Sequence, residues 1–346
     1  MRITLVTDAW SPQVNGVVNT LKHTSVGLRA LGHEVDLITP EGFRTLPMPT
    51  YPDIRLSLFA GAAVARHIDS FAPDAIHVAT EGPLGMAARR HCLRRDKPFT
   101  TAYHTRFPEY VKARTGLPLA LTYRWLRRFH APSSAIMVPT PVVRDDLRHN
   151  GFERVVLWSR GVDTDLFSPG PRNALDCDRP IFLYVGRVAV EKNLEAFLAL
   201  DLPGSKWVVG EGPQRSHFER KYRDVYFAGL QAPSELARYY RAADVFVFPS
   251  RTDTFGLVLL EAMACGTPVA AFPVTGPIDV LRDGPGGVMH EDLREACLAA
   301  LALDRENVRR YALGFSWSAA TEQFARHLAP APATFSLEAR AHGRPA

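Results

Sequence analysis

The chain has 346 residues, 46% of them apolar and 22% charged, and a formal net charge of +5. That length holds two domains with separate cores, and no uninterrupted apolar run approaches the ~20 residues that a bilayer-crossing helix needs. The four cysteines, Cys92, Cys177, Cys265 and Cys297, are scattered without a CxxC pair, which argues against a zinc site or disulfide frame and fits the reduced thiols of a cytosolic protein.

The first residues, MRITLVTDAW, read as a strand and lack the apolar core and cleavage site of a signal peptide, so a cytoplasmic location is expected. Strands follow at Ile3–Thr7, Val35–Thr39, Ala75–Ala79, Thr100–Tyr103, Ala135–Pro139 and Val155–Trp158. A helix is expected over Val17–Leu31, with Val17, Leu21, Leu28 and Leu31 on one face. Between Met86 and His130 eleven basic residues meet only Asp96 and Glu109, a local excess of +9 that leaves the rest of the chain at −4. Such asymmetry points to an anionic surface as partner. Within it, LTYRWLRRFH sets Trp125 among Arg124, Arg127 and Arg128; as an amphipathic helix it suits an anionic membrane. A solvated basic face is the plain alternative, and no recognition motif supports nucleic-acid binding.

DLFSPGPRNALDCDRP, with its Pro and Gly, reads as a linker over residues 166–180 between a domain at 1–165 and another at 181–315. In the second half, strands are expected at Ile181–Val185, Trp207–Val209, Val225–Phe227, Val245–Phe248 and Val269–Phe272. Helices are expected at about Glu191–Ala199, Pro233–Ala242, Phe255–Ala264, Glu291–Leu303 and Arg305–Leu313. A helix at 316–328 and a disordered tail at 329–346 complete the chain. Alternating strands and helices imply an α/β fold class with two doubly wound, Rossmann-like parallel sheets. Ligands of such sheets bind at the carboxyl ends of the strands.

The most informative stretch is SRTDTFGLVLLEAMACGTPV, Ser250 to Val269. It reads strand, loop, helix, with the amides of Phe255, Gly256 and Leu257 at the helix start, where an anion binds. Asp253 before the helix and Glu261 inside it would flank a bound diphosphate, one reaching a sugar hydroxyl and the other a ribose. Glu261 sits among Leu257, Val258, Leu260 and Met263, and a buried carboxylate needs partners. Asp253 could equally cap the helix. Arg187 and Lys192, in VGRVAVEKN, follow a strand end, where two cations neutralise a leaving diphosphate. Gly16, in VNGVV, ends the loop after the first strand and permits close backbone approach, or is simply a turn glycine. There is no GxGxxG to mark a dinucleotide site. Asp163-Thr164-Asp165 resembles a DxD metal motif, but its place at a domain junction makes it coincidental. No metal is expected to be essential, and no cofactor is expected.

These segments resemble the retaining glycosyltransferases of family 4, which have the GT-B fold of two Rossmann-like domains facing a central cleft. The family's E-x7-E signature is met by Asp253-x7-Glu261, with Asp one methylene short. Arg187 and Lys192 match its phosphate-binding cations, SRGVDTDLFSP its interdomain segment and TDAWSPQVNGVVNTL its first strand-to-helix loop. The resemblance implies transfer of a hexose from a UDP- or GDP-sugar to a hydroxyl, with retention. It places His104, in YHTRFPEY, beside the reacting sugar, Glu211, in VGEGP, near the base, Arg106 and Glu109 near the acceptor, and the helix at 316–328 on the first domain. The basic first domain resembles that of enzymes that glycosylate lipids such as diacylglycerol or phosphatidylinositol. The expected partners are therefore a nucleotide-sugar, a lipid acceptor and an anionic membrane at its cytoplasmic face. A soluble or polysaccharide acceptor is the alternative, and a non-catalytic sugar-nucleotide-binding scaffold the alternative of another class.

Overall fold

The computed structural model describes residues 1–13, 15–48, 51–282 and 284–329. Apart from Ala329, the expected tail lies outside them. The chain divides into two compact units, Met1–Ser159 together with Trp317 onward, and Arg160–Ser316.

The first unit contains β1 Arg2–Val6, β2 Glu34–Ile38, β3 Thr45–Met48, β4 Tyr51–Ser57, β5 Ala75–Val78, β6 Thr100–Ala102, β7 Ile136–Val138 and β8 Val155–Leu157. Six of these form a parallel sheet in the order β2-β1-β5-β6-β7-β8, while β3 and β4 form an antiparallel pair that the sequence reading did not anticipate. Its helices are α1 Gly16–Ala30, α2 Gly61–Phe71, α3 Pro83–Arg94, α4 Phe107–Thr115, α5 Leu119–His130 and α6 Pro141–His149.

The second unit contains β9 Ile181–Val185, β10 Ser205–Val209, β11 Val225–Gly229, β12 Val245–Phe248, β13 Val269–Ala271 and β14 Gly287–Met289, with α7 Glu195–Leu198, α8 Arg215–Lys221, α9 Pro233–Ala242, α10 Leu257–Ala264, α11 Pro277–Leu281, α12 Leu293–Ala300 and α13 Arg305–Ala312. Its sheet is parallel in the order β11-β10-β9-β12-β13-β14. The central strands β9 and β12 are buried along their whole length, as continuous apolar runs covered on both faces should be.

Two expectations need correction. Residues 166–180 are not a free linker, and the units divide at Ser159/Arg160 rather than at 165. Phe167 is buried, with its ring 5.8 Å from that of Tyr240. Arg241 holds the carbonyls of Ser168 and Leu166 at 2.7 and 3.2 Å, and Arg309 holds that of Phe167 at 2.7 Å. The helix expected over 191–199 is instead a 3₁₀ turn, Val190–Lys192, followed by α7. Asn193 takes a left-handed conformation (φ 52°) between them, and its side chain donates to Pro249 O at 3.0 Å.

The last helix, α14 Trp317–His327, belongs to the first unit. Gly27 on α1 lies so close to it that a Cβ would come within 2.5 Å of Thr321 Oγ1. The rings of His23 and Trp317 stack at 4.6 Å. Phe324 is fully buried, with its ring 4.7 Å from Trp158 and 4.8 Å from His77. Phe324→Ala is therefore expected to cost about 3–5 kcal/mol, seen as an earlier urea midpoint for the transition reported by Trp158. An unchanged midpoint would show that α14 is not part of this core.

Candidate functional site

Strand order organises the second unit's site. From β9 the chain adds β10 and β11 on one side, then crosses to β12 on the other. The loops that leave β9 and β12 therefore diverge at the carboxyl edge of the sheet, the position where open α/β sheets bind ligands.

Three side-chain hydrogen bonds join those two loops. Lys192 Nζ donates to Asp253 Oδ1 at 2.5 Å, Asn193 Nδ2 to Pro249 O at 3.0 Å, and Thr252 Oγ1 to Glu191 O at 3.1 Å. The side chains of Lys192 and Asp253 are only 22% and 15% exposed. Asp253 Oδ2 is buried and accepts no hydrogen bond among the described residues. Leaving such an oxygen unmet costs about 1–3 kcal/mol, which a hydroxyl donor would recover.

Asp253 does not cap the helix. α10 begins at Leu257 behind Gly256, whose φ of 87° only glycine adopts easily, and no side chain caps it. The helix starts two residues later than the pattern predicted because Phe255 turns into the core, where it is 6% exposed. Of its first-turn amides, Leu259 N already donates to Gly256 O at 3.0 Å, while those of Leu257 and Val258 have no carbonyl ahead of them in the helix. The loop after β13 lies against this turn: a Cβ on Gly276 would sit 3.1 Å from Phe255 O.

Arg187 is carried by a clamped backbone. Tyr184 Oη donates to Arg187 O at 2.8 Å. Gly186 N donates to Val209 O at 3.0 Å and Val188 N to Glu211 O at 2.9 Å. A Cβ on Gly210 would collide with Gly186 O, so the loops after β9 and β10 lie backbone against backbone. The Gly210-Glu211-Gly212 segment is thus required by packing. The Glu211 carboxylate is half exposed and paired with Arg215.

Glu261 lies in the second turn of α10, partly exposed as a residue. Tyr240 Oη, from the buried face of α9, donates to its Oε2 at 2.9 Å. Burial of the carboxyl pushes its pKa up to about 7, opposed by the Tyr240 hydrogen bond. Tyr240 has no signal in the sequence, where it reads as one more apolar position of α9.

In the first unit the loops after β1 and β5 meet where the order of that parallel sheet reverses. Asp8 sits there, 8% exposed. Its carboxylate accepts from Thr80 Oγ1 at 2.9 Å and from the amides of Leu84 and Gly85 at 2.8 and 3.2 Å, capping α3. The sequence reading missed it, although an acid directly after a first strand was visible. Gly16 is the first residue of α1; Asn15 Oδ1 already accepts from Val17 N and Val18 N at 3.0 Å. His104 follows β6, half-buried, with its ring edge-on to Trp158 at 5.5 Å.

Arg106 and Glu109 pair at 3.4 Å; Arg106 also pairs with Asp146, and Tyr123 Oη donates to Glu109 at 2.8 Å. Burial opposes the Arg106 charge, but Glu109 and Asp146 outweigh it and raise its pKa. These residues tie α4 to α5 and α6. On α5, Tyr123, Leu126, Phe129 and His130 are buried, while Arg124, Trp125, Arg127 and Arg128 are exposed. Asp163 Oδ1 accepts from the amides of Asp165 and Leu166 at 3.1 and 3.0 Å, so its carboxylate closes its own turn.

Residues 14–166 match the model of Glycosyltransferase Family 4, and residues 179–303 that of Glycosyl transferases group 1. The chain belongs to glycosyltransferase family 4. It is 29% identical to a GDP-mannose-dependent alpha-mannosyltransferase of Mycobacterium tuberculosis, over 94% of this chain and 96% of that protein. It is 28% identical to an alpha-monoglucosyldiacylglycerol synthase of Streptococcus pneumoniae, over 87% of this chain and 78% of that protein. A sucrose-phosphate synthase from Thermosynechococcus elongatus matches its fold with a TM-score of 0.75 at 24% identity, covering 94% of this chain and 97% of that one. The family 4 enzyme is thus a retaining, nucleotide-sugar-dependent glycosyltransferase of the GT-B fold.

The Glu261 proton gives a pH test. Its folded pKa lies near 7, above its ordinary 4.5, so the folded state holds the proton more tightly than the unfolded chain does. The stability this contributes is full below pH 4.5 and is lost as pH rises through about 7, on the order of 3 kcal/mol. Glu261→Gln still accepts from Tyr240 and does not titrate. Its melting temperature is expected to exceed the wild type's by several degrees more at pH 8 than at pH 5, read by scanning fluorimetry. An equal offset at both pH values would remove this linkage.

Proposed function

We propose that this family 4 enzyme transfers a hexose from a nucleoside diphosphate hexose to a lipid hydroxyl, such as that of diacylglycerol, releasing the nucleoside diphosphate, while docked on the anionic inner face of the cytoplasmic membrane. The observation that carries the donor half is the Lys192–Asp253 bridge, with Asp253 Oδ2 unmet and Glu261 one helix turn deeper. On donor binding, Lys192 turns with Arg187 to the diphosphate, and Asp253 is released to accept from a sugar hydroxyl. Glu261 accepts from the ribose hydroxyls. The growing charge on the leaving diphosphate meets fixed cations and the amides at the start of α10. The acceptor oxygen attacks the face that the diphosphate leaves, and a phosphate oxygen takes its proton, which fits a site whose contribution is positioning.

The acceptor half rests on the outer side of α4 and α5. Phe107, Leu117, Leu121 and Trp125 are 41–56% exposed there, beside Arg124 and Arg128. Each basic side chain near an anionic bilayer contributes about 1 kcal/mol, and inserted Trp125 adds a part that salt does not screen. No helix among the described residues is long and apolar enough to cross a membrane. The relative with a diacylglycerol product supports a lipid acceptor, and the relative with a GDP-mannose donor makes GDP-mannose the first donor to assay.

The deciding assay offers UDP- and GDP-hexoses with extracted lipids and reads products by mass spectrometry. Lys192→Ala or Arg187→Ala is expected to lower turnover ~100-fold; near-normal rates in both folded variants would take the clamp out of the mechanism. The Asp163 carboxylate that closes its own turn supports reading Asp163-Thr164-Asp165 as structural, and turnover is expected to survive EDTA. Complete loss restored by Mg²⁺ or Mn²⁺ would reverse that assignment.

A further inference from the structure

A polar recess lies between α5 and residues 151–154, which lead from α6 to β8, in the first unit. It encloses about 340 Å³ and is lined by Arg124, Arg127, Arg128 and Arg154 around Phe152, with Glu153 as its one acid. Two of the four guanidinium groups are anchored by backbone carbonyls. Arg127 Nη1 donates to Asn150 O at 3.3 Å and lies over Gly151, where a Cβ would approach it to 3.0 Å. Arg154 donates to Ala131 O, just past the end of α5. Each keeps further N–H donors, since a guanidinium has five. Among the described residues no ion pair engages Arg124 or Arg128, and none joins Glu153 to the four arginines.

This concentration is unfavourable in the protein alone. α5 contains no acidic residue, and like charges at Arg124 and Arg128, four residues apart, repel. The neighbouring Arg89 has its pKa lowered by burial first, then by Arg128 and Arg90. The helix dipole accounts for Arg127 and Arg128 in the last turn, but Arg124 stands more than a turn earlier. Four planar forks around one recess match the oxygens of a phosphate bidentately, which lysines would not.

We propose that this recess is a discrete site for the phosphate of an anionic phospholipid headgroup, separate from the diffuse attraction of the helix's outer face. A lipid is favoured over a free anion because Trp125 and Leu121 are exposed apolar side chains on the same helix as Arg124 and Arg128. The proposal rests on the reading that α5 faces a membrane.

The test compares phosphatidylcholine vesicles made anionic with phosphatidylglycerol against vesicles made equally anionic with oleate, at matched surface potential. Co-sedimentation is measured for the wild type and for Arg124→Lys/Arg128→Lys, which keeps every charge and removes two of the four forks, leaving the two that backbone carbonyls already hold. The wild type is expected to bind the phosphatidylglycerol vesicles roughly tenfold more tightly than the oleate vesicles, and the lysine pair to bind both equally. Nucleotide binding by the variant reports that it is folded. Equal wild-type binding to both vesicles, or a preference kept by the lysine pair, would overturn the discrete site and leave membrane docking standing. Binding to neither anionic vesicle would overturn both.

Discussion

A parallel strand reaches its neighbour only by crossing over, so every strand-to-helix loop of such a sheet emerges on one edge. The second unit depends on this constraint. Its chain runs from β9 outward to β10 and β11, then crosses back to place β12 on the other side of β9. The two loops at the point of divergence must be held apart enough for a ligand and yet stay ordered. Packed glycines fix one side, where Gly186 and Gly210 meet without side chains. The Lys192–Asp253 pair and its two companion hydrogen bonds fix the other. In the proposed function, the cation that would neutralise the diphosphate and the acid that would hold the sugar are each other's partners here, and donor binding would exchange them.

Much of this was legible because it rests on local pattern. Continuous apolar runs gave β9 and β12 to the residue, and the pattern around Asp253 and Glu261 put the first in the loop after β12 and the second inside α10. Elements whose formation depends on distant packing were not legible. β14, Gly287–Met289, is a three-residue edge strand that exists only because β13 offers it a ladder. The 190–198 segment has helical composition, yet Asn193 spends its side chain on Pro249 and breaks the run. Tyr240 under Glu261 and Asp8 under α3 are contacts between elements far apart in sequence, where periodicity carries no information. The Pro/Gly content of 166–180 was misleading for the same reason: Phe167, Arg241 and Arg309 fasten that stretch to the second unit.

Arginine serves three separate ends in the first unit. Arg89 closes the end of α5 through the carbonyls of Phe129 and Arg128, both at 2.8 Å. Arg106 is consumed by Glu109 and Asp146. Arg124 and Arg128 form no ion pair among the described residues. The net excess of +9 between Met86 and His130 therefore overstates what a partner would meet and misplaces it. Charge counted along a chain becomes a statement about a surface only after the internal pairs are removed.

The docking of α14 onto α1 has a consequence for how the protein is made. Residues 1–159 supply every strand of their sheet, but Phe324 and Leu328 complete the layer that covers Leu21, Leu28 and Trp158. During synthesis from the N-terminus, that layer stays open until α14 leaves the ribosome. Residues 160–316 are contiguous and hold all their own strands, so they can close first, in keeping with the folding of domains as units. The unit that is begun first is therefore finished last, and its apolar face stays exposed to chaperones and to other nascent chains for the whole time that the second unit is being translated.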